Sequence, residues 1–282
     1  MFTEATIRAA HQNDYQPLSD LIKYGNHLHR HLDWRPPLDW LSKQPFLLLE
    51  KNNRVQAALA CPTDPPGIAW IRLFAVTDFL KPEEAWGILF RKALLSFPDD
   101  HLPIINALSL QDWFTDLLID QNFEYHHNIV VLRWSGILPE VPVLDQKFKL
   151  RSMQLEDMLE VHKVDCSAFK SIWQISLDEL VRAFDRSNYA TVIEYEGEII
   201  GYQISTGHLR QAHLARLAVR KDFQRQYLGV NLVADLLKRF QLFNIETVTV
   251  NTQHTNTASI ALYRKMQFLR TGEEFPVYQY QP

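Results

Sequence analysis

The chain carries one strand-and-helix pattern twice, and that repetition restricts it to folds built from two like units. Ile7-Arg8-Ala9-Ala10, with Asp14 after it, is matched by Leu150-Arg151-Ser152-Met153, with Asp157 after it; each is a short β-prone run leading into a polar helix start. Phe46 to Glu50, a turn at Asn52-Asn53, and Val55 to Ala58 are matched by Thr191 to Glu194, a turn at Glu196-Gly197, and Ile199 to Tyr202. Both predict hairpins, β-prone runs joined through turn residues. Arg72-Leu73-Phe74-Ala75-Val76 parallels Arg216-Leu217-Ala218-Val219, and each is followed by an amphipathic helix ending near Phe97 or Phe240. Between the copies, Ser135 to Gln146 holds Gly136, Pro139 and Pro142 with little periodicity, which suits a linker. The expectation is an α/β (α+β) chain of two mixed-sheet domains, 1–135 and 148–282, joined by a linker at 136–147. Two α/β domains can also share strand and helix order by chance. Either way, 282 residues are enough for two cores.

Composition narrows the function classes. With 46% hydrophobic and 22% charged residues the chain is an ordinary globular one. A net charge of -4 and an isoelectric point near 6.3 give no broad basic field of the kind that nucleic acid or an anionic membrane selects, so neither is expected as a partner. Met1 to His11 contains Glu4, Arg8 and His11 and no apolar signal core, and no later stretch approaches the roughly 18 apolar residues of a membrane helix. A cytoplasmic protein, monomer or homodimer, is the expectation. Cys61 and Cys166 lie in different halves with no metal or redox spacing. His27, His29 and His31, near Trp34 and Trp40, read as a surface or cleft-lining segment: on a helix only His27 and His31 would share a face, and no carboxylate or cysteine completes a metal set.

The strongest local signal begins at His213-Leu214-Ala215-Arg216-Leu217-Ala218-Val219, a β-prone run. It leads through Arg220 to Gly229 into a predicted helix, Val230 to Phe240, in which Leu232, Val233, Leu236, Leu237 and Phe240 form one apolar face. A strand, a tight turn and a helix start leave backbone N–H groups aimed outward, with the helix dipole behind them, which suits an anion. Taken alone, this stretch is equally an ordinary strand–loop–helix connection. A second segment decides between the two. After Thr247-Val248-Thr249-Val250-Asn251 come Asn256, Ser259-Ile260, Leu262-Tyr263, Lys265 and Phe268.

These two segments resemble the GNAT N-acetyltransferase superfamily. Gln224 opens and Gly229 closes the family's phosphate loop, with Tyr227 at the place of its middle glycine. Asn256 to Phe268 keeps nearly all of the later motif, with Ser259 for an alanine and Gln267 for a glycine. The resemblance implies two tandem GNAT domains and acetyl-CoA as co-substrate. Backbone around Leu217, Ala218 and Val219 would hold the pantetheine arm, and Gln224, Arg225, Gln226, Tyr227, Leu228 and Gly229 the pyrophosphate. Asn251 and Asn256 would add cofactor contacts, and Tyr263 would lie beside the thioester sulfur. A phenol of pKa about 10 can protonate a departing thiolate and stay protonated at neutral pH; a lone tyrosine on such a helix is otherwise a core residue. The family's base positions correspond to His213 and Asn251, neither a carboxylate. His213 can accept a proton near neutrality, or the amine loses its proton through water or binds already neutral. Phe169 and Trp173 stand where family members build the acceptor wall, or pack in the core.

The first half keeps the hydrophobic framing and lacks the chemistry. Leu80-Lys81-Pro82-Glu83-Glu84-Ala85 stands opposite the phosphate loop, where Pro82 removes a donor and two carboxylates repel phosphate. Gln111 and Leu118 fall opposite Asn256 and Tyr263. The expected function is acetyl transfer to a primary amine of a small molecule, without a metal. The alternatives are acetylation of a protein or peptide N-terminus, or a non-catalytic acyl-CoA sensor.

Overall fold

In the computed structural model, which describes residues 5–98 and 102–282, the chain divides into two compact units. Met1 to Glu4, the start of the stretch expected to lack a signal core, lie outside the described residues. Unit 1 comprises residues 1–126 and 275–282, and unit 2 residues 127–274. In unit 1 the order is β1 (Thr6–Ala9), α1 (Tyr15–Tyr24), β2 (His27–Arg30), β3 (Phe46–Lys51), β4 (Arg54–Ala60), β5 (Ile68–Trp70), β6 (Leu73–Val76), α2 (Pro82–Leu94), β7 (Ile104–Leu108) and α3 (Asp112–Asp120). A long strand, β8 (Phe123–Trp134), begins in unit 1 and ends in unit 2. Unit 2 continues with β9 (Phe148–Ser152), α4 (Met158–Ala168), α5 (Leu177–Asp185), β10 (Tyr189–Tyr195), β11 (Glu198–His208), β12 (Gln211–Val219), α6 (Leu228–Leu242), β13 (Thr247–Gln253) and α7 (Thr257–Lys265). The last strand, β14 (Leu269–Tyr280), begins in unit 2 and ends in unit 1.

The units do not part at the expected linker. Residues 136–147 carry no regular element, but the division falls inside β8 and again inside β14. The reason is where the strand ends pair. Ile129 to Trp134 of β8 pair antiparallel with Gln253 to Val248 of β13, and Val277 to Gln279 of β14 pair with Leu108 to Asn106 of β7. Each copy's final strand, twelve residues long, outlasts its own unit, and a boundary read from composition cannot register that.

The repeat itself extends to side chains. Arg8 on β1 forms a two-bond pair with Asp14 (2.7 Å each) and reaches Glu50 on β3 at 2.6 Å. Arg151 on β9 does the same with Asp157 (2.7 and 2.9 Å) and Glu194 on β10 (2.6 Å). In both copies the aspartate also accepts the backbone N–H of the residue three before it, His11 or Gln154, at 2.7 Å, closing the helix start. Both predicted hairpins form. Asn52 and Asn53, and Glu196 and Gly197, all have positive φ, as a two-residue turn between twisted strands requires. Each hairpin carries a register shift at the same place, Leu49/Glu50 and Ile193/Glu194.

Unit 2 is a sheet in the order β9-β10-β11-β12-β13-β8, antiparallel except for β12 and β13. That parallel pair needs a crossover, which α6 supplies. Val233, Leu236, Leu237 and Phe240 of α6 pack with Leu214, Val248 and Val250 on one face. In unit 1, β1-β3-β4-β6-β2 form one set of strands, and β7 lies between β5 and the end of β14. Trp86, Phe90, Phe114 and Phe123 cluster there with Phe74 and Tyr278.

The three histidines depart in part from expectation. They lie on and just after a strand, β2, and His29 is 2% exposed, which removes the surface alternative and leaves the lining one. Alternation on a strand puts all three on one face, and aromatic neighbours cover them: Trp113 at His27, Phe114 at His29 and Trp70 at His31. Burial pushes His29 down to about 4, and burial with the Arg72 charge holds His31 below the ordinary value as well. The unfolded chain therefore binds protons that the folded chain refuses between about pH 6.5 and 4. Stability should fall as pH drops through that window, by up to ~3 kcal/mol from His29 at ~1.4 kcal/mol per unit. Urea unfolding at pH 7 and pH 4.5 should show a smaller pH loss for His29→Gln than for the natural chain; an equal loss would remove His29 from the account.

Candidate active site

The site starts from a geometric conflict between neighbouring strands. β12 and β13 run parallel in register from Gln211↔Thr247 to Leu214↔Val250 and no farther, although β12 continues to Val219 and β13 to Gln253. Beyond Leu214, β12 remains paired with β11 and β13 with β8. The two strands therefore splay, and alternate main-chain groups of β12 between Ala215 and Val219 face a gap. At the point of parting β12 also shifts register: Ser205 pairs with Leu214 and Ile204 with Arg216, so that Ala215 bulges. The bulge reverses the alternation. Leu217 and Val219 pack on the α6 face with Leu228 and Leu232, as Leu214 does with Val233 and Leu237, while Arg216 turns to the other face.

The loop after β12 is shaped for an anion. A single turn at Lys221–Phe223 leads to Gln224, whose Nε2 donates to the Val219 carbonyl at 3.0 Å and so ties loop to strand. Arg225 and Tyr227 both adopt left-handed backbone, φ 63° and 61°, and Tyr227 caps α6. A left-handed residue followed by helical Leu228 makes successive N–H groups converge, the concave arrangement that holds phosphate oxygens, at the positive end of a fifteen-residue helix. Tyr227 thus keeps the backbone of the glycine it replaces, at a strain of about 1–2 kcal/mol. Its ring lies half exposed with the Lys265 ammonium 4.2 Å from its centre, which adds positive charge beside the loop. Gly229 serves packing: a Cβ there would come within 2.7 Å of Leu262 Cδ1 on α7.

α7 follows the splayed end of β13. Asn256 is its N-cap; Oδ1 accepts from Ser259 N–H at 3.1 Å and Nδ2 donates to Gln253 at 3.3 Å. Tyr263 is 5% exposed and packs with Leu214, Val250 and Phe268. Its hydroxyl makes no hydrogen bond among the described residues, and burial pushes its pKa above the ordinary tyrosine value, so it holds its proton at neutral pH. The helix leaves through Gln267 at φ 65°, where glycine is usual; Asn122 occupies the equivalent left-handed position in unit 1.

On the other face of the sheet the structure assembles a cluster that the sequence did not single out. Asp165 of α4 is fully buried and accepts two bonds from Arg216, at 2.8 and 3.0 Å, and one from the Tyr202 hydroxyl of β11 at 2.5 Å. Arg216 donates also to the Trp173 carbonyl at 2.6 Å and lies 3.8 Å from the Phe169 ring centre. Phe169 and Trp173, read as an acceptor wall or as core, are thus fastened to β12 at its bulge. Trp173 meets the His127 ring edge-on at 5.1 Å. The repeat offers the one available signal: Arg72, opposite Arg216, likewise pairs with an aspartate, Asp33, at 2.9 Å and lies over an aromatic ring, Trp40. His213 stands one residue before the parting of the strands, with Nδ1 2.9 Å from Thr249 Oγ1, and burial lowers its pKa. Asn251 lies beyond the last parallel pair, paired through its backbone with Val131 of β8.

Residues 157–268 match the model of the acetyltransferase (GNAT) family. The chain is 25% identical over 121 residues to a Bacillus subtilis (strain 168) protein provisionally named ribosomal protein bS18-alanine N-acetyltransferase, covering 42% of this chain and 79% of that one. It is 32% identical over 72 residues to the ribosomal protein bS18-alanine N-acetyltransferase of Escherichia coli (strain K12), covering 26% of this chain and 49% of that protein. Its fold is similar across 99% of both chains to that of a tandem GNAT protein from the clavulanic acid biosynthesis pathway, with a TM-score of 0.69 at 13% identity. The matched residues lie within unit 2, and both relatives are N-acetyltransferases by name, so this part of the chain resembles a GNAT-type acyltransferase domain. The chain as a whole has the fold of that tandem GNAT protein, and the matched family is one of acetyltransferases. No helix among the described residues is long and apolar enough to cross a membrane.

Removing one member of a buried ion pair strands the other, at a cost of about 3–5 kcal/mol. Asp165→Ala should lower the free energy of unfolding by that amount in urea titrations. A loss under about 1 kcal/mol, the scale of an exposed pair, would show that Arg216 does not depend on this carboxylate.

Proposed function

We propose that unit 2 binds acetyl-CoA in the gap between β12 and β13 and transfers its acetyl group to a primary amine of a small molecule. The observation that carries this reading is the splay itself, with the left-handed loop at one end of the open β12 edge and Tyr263 beside the point of parting. The main chain of Leu217, Ala218 and Val219 offers a strand edge to the amide-bearing pantetheine. The amides of Arg225 to Gly229 take the pyrophosphate, supported by Gln224, and Asn256 holds the start of α7 in place while Asn251 lines the gap.

In this mechanism the amine nitrogen attacks the thioester carbonyl from the side of Phe169 and Trp173. The carbon–sulfur bond breaks, and the Tyr263 hydroxyl gives its proton to the leaving thiolate. Backbone N–H groups at the bulge stabilise the oxyanion. His213, neutral because burial lowers its pKa, takes the amine proton through Nε2 while Nδ1–H donates to Thr249. Unit 1 offers no equivalent chemistry: α2 opens on Pro82, Glu83 and Glu84, and Leu118 stands opposite Tyr263.

A second reading has its own support. The likeness of this chain to proteins named for acetylating the alanine of ribosomal protein bS18 favours a polypeptide N-terminus as the acceptor. A panel of small primary amines and peptides with N-terminal alanine, assayed by release of the coenzyme A thiol, separates the two by kcat/KM.

For whichever acceptor turns over, Tyr263→Phe should lower kcat about 100- to 10,000-fold, the usual contribution of a general acid, while the Kd for acetyl-CoA stays within about twofold. Unchanged turnover in Tyr263→Phe would remove the proposed acid. His213→Gln should flatten the acid limb of the kcat/KM profile; an unaltered limb assigns that proton to water.

A further inference from the structure

Unit 1 contains the same parting of strands as unit 2. β5 and β7 run parallel from Ile68↔Ile104 to Trp70↔Asn106, as β12 and β13 do from Gln211↔Thr247 to Leu214↔Val250. Past that point the unit 1 strand breaks at Ile71 and Arg72 and resumes as β6, which pairs with β4 as β12 pairs with β11. The difference lies on the other edge. In unit 2 the corresponding edge of β12 has no strand partner among the described residues. In unit 1 the edge of β6 is filled by β2, antiparallel, from His27↔Val76 to Arg30↔Leu73.

The seal extends to the apex. The His31 N–H donates to the Arg72 carbonyl at 3.0 Å, and the Ile71 N–H to the Asn106 carbonyl at 2.9 Å, so both sides of the parting are satisfied by the chain itself. The His29 ring sits there, with Nε2 3.1 Å from the Ile71 carbonyl oxygen. It stacks at 3.9 Å on Phe114 of α3, the helix that answers to α7. Leu28 packs on the opposite face with the core of Leu18, Trp40 and Phe46. β2 is therefore anchored on both faces and cannot be lifted out without exposing buried apolar surface and a strand edge.

We propose that unit 1 is an acyl-CoA cleft closed from within, in which β2 takes the strand edge that a pantetheine arm would occupy and His29 fills the apex, so that the chain accepts one acyl-CoA, in unit 2. The number bound rests on the reading of unit 2 given above; the closure of unit 1 does not.

Hydrogen–deuterium exchange on the full chain, with and without saturating coenzyme A, combined with native mass spectrometry, tests this. The expected result is one coenzyme A per chain and protection gained over residues 215–229. The peptide carrying His27 to His31 should exchange at least 100-fold slower than an unstructured peptide, with no more than a twofold change on ligand addition. Two coenzyme A molecules per chain, protection gained over residues 73–81, or faster exchange in β2 when ligand is added would each overturn the closure. If no coenzyme A binds, the reading of unit 2 fails, and β2 still decides the rest: slow exchange in the free chain upholds the closure and exchange at the unstructured rate overturns it.

Discussion

The parting of β12 from β13 is the constraint on which the candidate site depends. Two strands that stay in register satisfy each other's backbone and leave nothing for a ligand. Here β11 holds one side of β12 and β8 holds the far side of β13, so the two middle strands are kept apart by partners they cannot leave. The bulge at Ala215 adds to this by turning Arg216 out of the α6 face and into the grip of Asp165. An open strand edge in the middle of a sheet is costly to keep, and in the proposed function the pantetheine arm completes it.

The two units show the same problem solved in two ways. They share the Arg–Asp–Glu network at the first strand, the hairpin with its shifted register, the arginine after the parting and the left-handed exit of the last helix. They differ in the segment after the first helix. In unit 2 that segment becomes the turn at Ser171–Trp173 and α5, fastened over the sheet by Arg216. In unit 1 it becomes β2.

Much of this was legible in the sequence for local reasons. Turn chemistry at Asn52-Asn53 and Glu196-Gly197 specifies its own backbone, and the apolar face of α6 comes from spacing alone. Asn256 to Phe268 stood out through its resemblance to the family's later motif, and the structure supplies the physical content of those offsets: an N-cap, a buried face and a left-handed exit on one helix. The rest depended on partners far along the chain. Nothing near His27-Leu28-His29 says that β6 has a vacant edge, so the segment read as surface or cleft lining, not as a strand. Asp165 looked like any helix aspartate until Arg216, 51 residues on, was placed against it. Tyr227 shows the opposite case: the residue type argued against a glycine's conformation, and the fold imposes that conformation regardless. The exchanged ends of β8 and β14 were beyond reach, because strand alternation gives a length and a face but no partner.

A crystal structure of the full chain with a hydrolysis-resistant acetyl-CoA analogue tests whether the parting of β12 and β13 is the cofactor site. The expected result is a pantetheine arm along β12 between Ala215 and Val219, pyrophosphate on the amides of Arg225 to Gly229, and the acetyl group at the parting of β12 and β13 beside Tyr263. An analogue bound elsewhere, or β12 and β13 zipped into register past Leu214 and Val250 with the ligand excluded, would contradict it.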